Sequence, residues 1–104
     1  MIVIFEKEYL MELYVSGKTR DKNHRFQPEI INGYKKRIDY IKAIGKVEDF
    51  FKLPSLRFEN LIGDKQGLSS IRVNDKYRIE FTVIEREEPL ISICSIVELS
   101  NHYK

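Results

Sequence analysis

The stretch Tyr77-Arg78-Ile79-Glu80-Phe81-Thr82-Val83 alternates apolar and polar side chains without a break. A β-strand turns successive side chains to opposite faces, so Ile79, Phe81 and Val83 predict a buried face and Arg78, Glu80 and Thr82 an outward one. Upstream, Ser69 to Val73 reads as a second strand, and parity decides how the two pair. Setting Val73 against Tyr77 and Ile71 against Ile79 keeps every apolar residue on one face. It leaves Asn74-Asp75-Lys76 as a three-residue loop and places Arg72 opposite Arg78. A two-residue loop would set Ile71 opposite Arg78 and break the pattern. Leu56 to Leu61 and Leu90 to Leu99 read as further strands, with the polar, proline-containing Glu85 to Pro89 as a hairpin connection.

The apolar face of these strands needs a cover, and the residues before Pro54 supply it. Ile2 to Phe5 reads as a first strand. Lys7 to Ser16 then sets Leu10, Leu13 and Tyr14 on one helical face before Gly17 stops the helix. Lys18 to Gln27 is a polar loop in which His24 is expected to be solvent-exposed and idle. Pro28 suits the first turn of a longer helix, where Ile31, Tyr34, Ile38, Ile41 and Ile44 recur at spacings of three and four. Lys35, Lys36, Arg37 and Lys42 fall on its solvated side, Gly45 ends it, and Val47 to Leu53 forms one further short turn. The predicted fold is α+β: an N-terminal strand and two main helices packed on one face of a curved antiparallel sheet, as one domain over residues 1–104.

Composition narrows the chemistry. The chain has 104 residues, 42% hydrophobic and 33% charged, which fits a folded globular domain. Its single cysteine, Cys94, excludes an internal disulfide or a Cys-based zinc site and reads as a small buried hydrophobe. Two histidines, His24 and His102, are too few for a metal cluster, so no metal or cofactor is expected. No apolar run reaches membrane-spanning length and no signal-peptide pattern opens the chain, which predicts a cytoplasmic protein with no membrane contact. The net charge of +2 is too small to bind nucleic acid by itself, but Arg57, Lys65, Arg72, Lys76 and Arg78 make the central region locally basic.

Two guanidinium groups facing each other across strands repel, so the pairing of Arg72 with Arg78 calls for an anion. Glu80 supplies one answer, a surface Arg-Glu-Arg ladder with no ligand. The phosphate of an RNA supplies the other, because arginine presents forked donors to phosphate oxygens. These residues alone leave both open.

Four segments extend the reading. Leu13-Tyr14-Val15-Ser16-Gly17-Lys18-Thr19-Arg20 closes the first helix, and Lys36-Arg37-Ile38 lies in the second. Leu61-Ile62-Gly63-Asp64-Lys65-Gln66-Gly67 and Ser70-Ile71-Arg72-Val73-Asn74-Asp75-Lys76-Tyr77-Arg78-Ile79 follow. In this order and spacing the chain resembles the HigB-type toxins of the RelE/ParE superfamily, the toxin halves of type II toxin–antitoxin pairs.

The resemblance implies a metal-independent mRNA interferase that enters the ribosomal A site of the 30S subunit, beside the 16S rRNA, and cuts the codon there. A helix-turn-helix antitoxin would neutralise it and would alone contact operator DNA. Arg78 matches the family's transition-state arginine. Arg72, Lys76, Lys65 and Arg57 are the expected RNA and phosphate contacts, and His102, Tyr103 and Glu59 the candidates for proton transfer. The sequence departs from the family at three places. Glu59 and Ile62 stand where His and Lys are common, Arg72 replaces a small hydroxylated residue, and the usual Asp-Tyr-His end reads Asn101-His102-Tyr103. Two other functions therefore stay open: a ParE-like DNA gyrase inhibitor that acts by binding, and a degenerate module that keeps only the antitoxin interface.

Overall fold

In the computed structural model, residues 1–87 and 90–101 are described. The elements run β1 (Ile2–Phe5), α1 (Glu8–Ser16), α2 (Pro28–Ala43), β2 (Glu59–Asn60), β3 (Ser69–Arg72), β4 (Arg78–Glu87) and β5 (Leu90–Ser100), with short 3₁₀ turns at Val47–Lys52, Pro54–Leu56 and Gly63–Lys65. The strands form one sheet in the order β1-β5-β4-β3-β2. It is antiparallel except at β1, which lies parallel to β5 with Ile2 beside Ile93 and Phe5 beside Ile96.

The helices pack on the face that the alternation marks as apolar. Ile30, Tyr34, Ile38 and Ile41 of α2 and Tyr9, Leu10 and Leu13 of α1 are buried against Ile71, Ile79, Phe81, Ile96 and Leu99 of the sheet. Each large apolar side chain buried in this way contributes about 1.5–3 kcal/mol before entropy is counted. Phe81 stacks on Phe50, with ring centroids 5.3 Å apart, which ties the Val47–Lys52 turn to the core. Gly17 closes α1 in the left-handed conformation, φ 75°, and its N–H reaches the Leu13 carbonyl at 3.0 Å. Gly33 has a different duty: a Cβ there would stand 2.8 Å from Val73 Cγ1, so glycine lets α2 approach the end of β3.

The register between β3 and β4 is the one parity predicts, with Ile71 opposite Ile79 and Arg72 opposite Arg78. The Val73 N–H reaches the Tyr77 carbonyl at 2.9 Å, which closes the three-residue loop. Cys94 is fully buried, and burial pushes its thiol up to about 12.

Other boundaries differ from the expectation. The strand expected over Leu56 to Leu61 shrinks to Glu59–Asn60, because Pro54–Leu56 forms a turn and Arg57, at φ 47°, bends the chain before pairing begins. The hairpin connection expected from Glu85 is shorter, since β4 and β5 stay paired out to Glu87 and Leu90. Exposed charges at Glu85, Arg86 and Glu87 cost nothing there, so the ladder continues. No helix among the described residues is long and apolar enough to cross a membrane.

Candidate functional site

The outward face of β3 and β4 carries Ser70, Arg72, Arg78 and Glu80, set there by strict alternation from the buried Ile71, Ile79 and Phe81. Arg78 departs from the expectation of a solvated face, for it is only 6% exposed. Its Nε donates to the Ser70 hydroxyl at 2.8 Å, and Nη2 donates to the Ser70 carbonyl at 3.3 Å and to the Arg57 carbonyl. The bend at Arg57 brings that carbonyl over the sheet. A guanidinium offers five donors in a fixed fork, and the two main-chain carbonyls together with the Ser70 hydroxyl fix its direction.

Among the described residues, this face shows two ion pairs, Lys65–Glu80 and Arg72–Asp75. Glu80 is 2% exposed, and its carboxylate takes Lys65 Nζ at 2.5 Å. Arg72 pairs with Asp75 inside its own hairpin. Lys65 is thus engaged by Glu80 on β4. Glu59 itself is exposed on the sheet edge opposite Ser70, and Arg57 and Lys76 are exposed. The face therefore gathers Arg72, Arg78 and Lys65, and the Arg57 backbone joins it. Lys76 stands at the hairpin tip, where the Asn74 side chain accepts its N–H at 2.9 Å. His102 and Tyr103 lie outside the described residues.

Two residues that the sequence reading passed over belong to this neighbourhood. Ser70 is fully buried as the brace of Arg78; its parity with Arg72 and Glu80 was the available signal. Arg37, expected to be solvated, is half-buried and donates to the Arg72 and Val73 carbonyls, each at 3.3 Å. It sits one turn after Gly33, on the stripe of α2 that meets the end of β3. Beside the hairpin a cleft of about 530 Å³ is lined by Arg25, Gln27, Lys76 and Tyr77 among others.

A second polar cluster lies where α1 and its following loop meet β5. His24, expected to be idle in solvent, stacks on Tyr9 with ring centroids 3.7 Å apart and planes 8° from parallel. Its Nδ1 is 2.8 Å from Asp21, and its Nε2 is 3.8 Å from Glu98. The Tyr9 hydroxyl donates to Glu98, Lys7 Nζ reaches the same carboxylate at 2.9 Å, and the Leu99 N–H donates to the Tyr9 oxygen at 3.3 Å. Burial and the Glu98 hydrogen bond raise the Tyr9 pKa above its ordinary value. Burial alone would raise the Glu98 carboxyl, but the Tyr9 hydroxyl and Lys7 outweigh it and hold the group below its usual range.

Comparison with known proteins converges on one family. A sequence description of the RelE-like toxin HigB of type II toxin–antitoxin systems matches residues 3–91. The chain belongs to the HigB-like toxins. Toxin HigB-1 of Vibrio cholerae serotype O1 is 33% identical to this HigB-like toxin over 86 residues, which cover 82% of the chain and 86% of the relative.

The fold is shared with a YoeB/ParE toxin from Agrobacterium tumefaciens at a TM-score of 0.59 and 15% identity, covering 99% of this chain and 100% of that one. The YoeB–YefM complex from Staphylococcus aureus gives 0.59 at 14% identity, with 99% and 98% covered. This HigB-like toxin thus has the RelE-like α+β architecture expected of it.

Proposed function

We propose that this HigB-like toxin is a ribosome-dependent mRNA endonuclease, neutralised by a cognate helix-turn-helix antitoxin. The observation that carries the reading is the cross-strand pair of Arg72 and Arg78, with the Arg78 guanidinium braced on Ser70 and Lys65 brought onto the same face. In the reaction the 2′-oxygen of the RNA forms a bond to phosphorus and the bond to the 5′-oxygen breaks, giving a 2′,3′-cyclic phosphate and a 5′-hydroxyl. One group takes the proton from the 2′-hydroxyl, and another gives a proton to the departing 5′-oxygen. Between these events the phosphorus centre gathers negative charge, which preorganised cations stabilise.

Arg78 is the transition-state cation in this reading. Its side chain is nearly covered and already oriented by Ser70 and the Arg57 carbonyl when a phosphate arrives. Arg72, Lys65, Lys76 and Arg57 hold the RNA backbone, and the cleft beside Tyr77 offers an aromatic wall to an adjoining nucleotide. Glu59 is the candidate base, and His102 and Tyr103 remain the candidates for proton donation and base stacking. A net charge of +2 gives weak affinity for free RNA, so the ribosome supplies the positioning and purified protein alone should cut RNA poorly.

The test is expression in bacteria with mapping of mRNA 5′ ends. The wild type should produce cuts in phase with codons. Arg78→Lys keeps the charge but loses the fork, and should abolish the cuts while the purified variant stays folded. A second reading, gyrase inhibition by binding, is favoured by one observation: positions 59 and 62 carry an exposed glutamate and an exposed isoleucine in place of His and Lys. Cleaved or unrelaxed DNA without RNA cuts would establish it and overturn the nuclease.

A further inference from the structure

Ile62 is 87% exposed and offers no charge to the sheet face. Three residues later the chain does. Lys65 closes the Gly63–Lys65 turn and reaches back to Glu80 on β4. Glu80 lies two residues beyond Arg78 on the same strand, hence on the same face and about 7 Å along it. Directly opposite Glu80 is Ser70, the residue that braces Arg78.

A carboxylate this deeply buried costs several kcal/mol unless its charge is met, and a well-packed apolar pair would serve stability as well or better. Stability alone therefore does not account for an acid at this position. What the acid accomplishes is directional, since it draws a lysine from a flanking turn onto the Arg78 face.

We propose that Glu80 is a positioning residue that seats the Lys65 ammonium beside Arg78, so that Lys65 supplies the phosphate-facing cation that position 62 lacks. This rests on the nuclease reading of the same face. An ammonium carries three donors on a rotating head, so it holds a carboxylate on one side and a non-bridging phosphate oxygen on the other. Glu80 touches no RNA itself.

The experiment measures single-turnover cleavage of ribosome-bound mRNA by the purified toxin, together with acetylation of Lys65 and Lys76 read by mass spectrometry. Lys65→Ala should slow cleavage at saturating ribosomes by about 10²-fold, the loss typical of one transition-state donor. Glu80→Gln should slow it similarly with little change in half-saturation, and the double variant should be no slower than either alone. In Glu80→Gln, acetylation of Lys65 should rise several-fold while that of Lys76 stays constant.

Unchanged Lys65 acetylation, or losses that multiply in the double variant, would overturn the proposal. Should Glu80→Gln not fold, Lys65→Arg decides: it should cleave faster than Lys65→Ala by roughly tenfold, and equal rates would overturn the role. A wild type that cuts while both Glu80→Gln and Lys65→Ala match it refutes this inference alone. A wild type that cuts nothing refutes the nuclease reading and this role with it.

Discussion

The outer face of β3 and β4 and the seam between α1, its following loop and β5 both hold charged side chains in place, but by different means. On the sheet face, two of the acceptors for Arg78 are main-chain carbonyls, those of Ser70 and Arg57. At the seam, Lys7, Tyr9 and His24 all converge on the side chain of Glu98. A main-chain acceptor cannot be substituted away, and its direction follows from strand register and turn geometry. A side-chain acceptor disappears with one codon change. The first region should keep its geometry until Arg78 itself is removed, whereas the second should loosen when any one member is replaced.

The largest effect belongs to Arg78→Ala. It removes the hydrogen bonds to Ser70 and to the Arg57 carbonyl and leaves a void at a nearly covered position, so chemical denaturation should show a loss of about 2–4 kcal/mol. The variant should then fail to inhibit growth for two reasons at once, which is why Arg78→Lys is the cleaner probe of chemistry. A loss below about 1 kcal/mol would mean that the bonds to Ser70 and Arg57 do not hold in solution.

Two smaller substitutions set the regions against each other. Tyr9→Phe keeps the ring that stacks on His24 but removes the hydroxyl that serves both Glu98 and the buried Leu99 N–H. Leaving that amide without an acceptor should cost about 1–3 kcal/mol. Ser70→Ala removes the side-chain acceptor of Arg78 on β3 and leaves the Ser70 and Arg57 carbonyls, so it should cost about 1 kcal/mol. Equilibrium denaturation of both variants tests the contrast directly. If Ser70→Ala proves the more damaging, the distinction between main-chain and side-chain anchoring is wrong.

What was legible in the sequence follows the same division. The opposition of Arg72 and Arg78 came from parity alone, because both strands alternate strictly and only a three-residue loop keeps Ile71 and Ile79 on one face. The covering helices were legible from the spacing of Leu10, Leu13, Tyr34, Ile38 and Ile41. The burial of Arg78 was not legible: it depends on a carbonyl presented by Arg57 in a left-handed bend, and Pro54 to Phe58 carries no glycine or asparagine to announce one. The pairs Lys65–Glu80 and Tyr9–His24 each span fifteen residues and cross between elements, beyond the reach of any local period. Sequence pattern reports which face a side chain leaves from, and tertiary packing decides what it meets.

The smallest effect is electrostatic and has a definite sign. Glu98 is held below its ordinary value of 4.5 in the folded protein, so folding favours its ionised form. Its contribution is therefore present above that ordinary value and is lost as the pH falls through the lower, folded one. Glu98→Gln keeps the shape and removes the charge. Because the side chain is 30% exposed and solvent screens its partners, the stability gap between wild type and variant should stay below about 1 kcal/mol. The gap should be widest near about pH 7 and should close toward about pH 3, as protonation makes the wild type resemble the amide. Denaturation curves across that range check it. A gap that persists undiminished in acid would assign the seam to shape and hydrogen bonding alone, and would make its contrast with the backbone-held Arg78 one of geometry and not of charge.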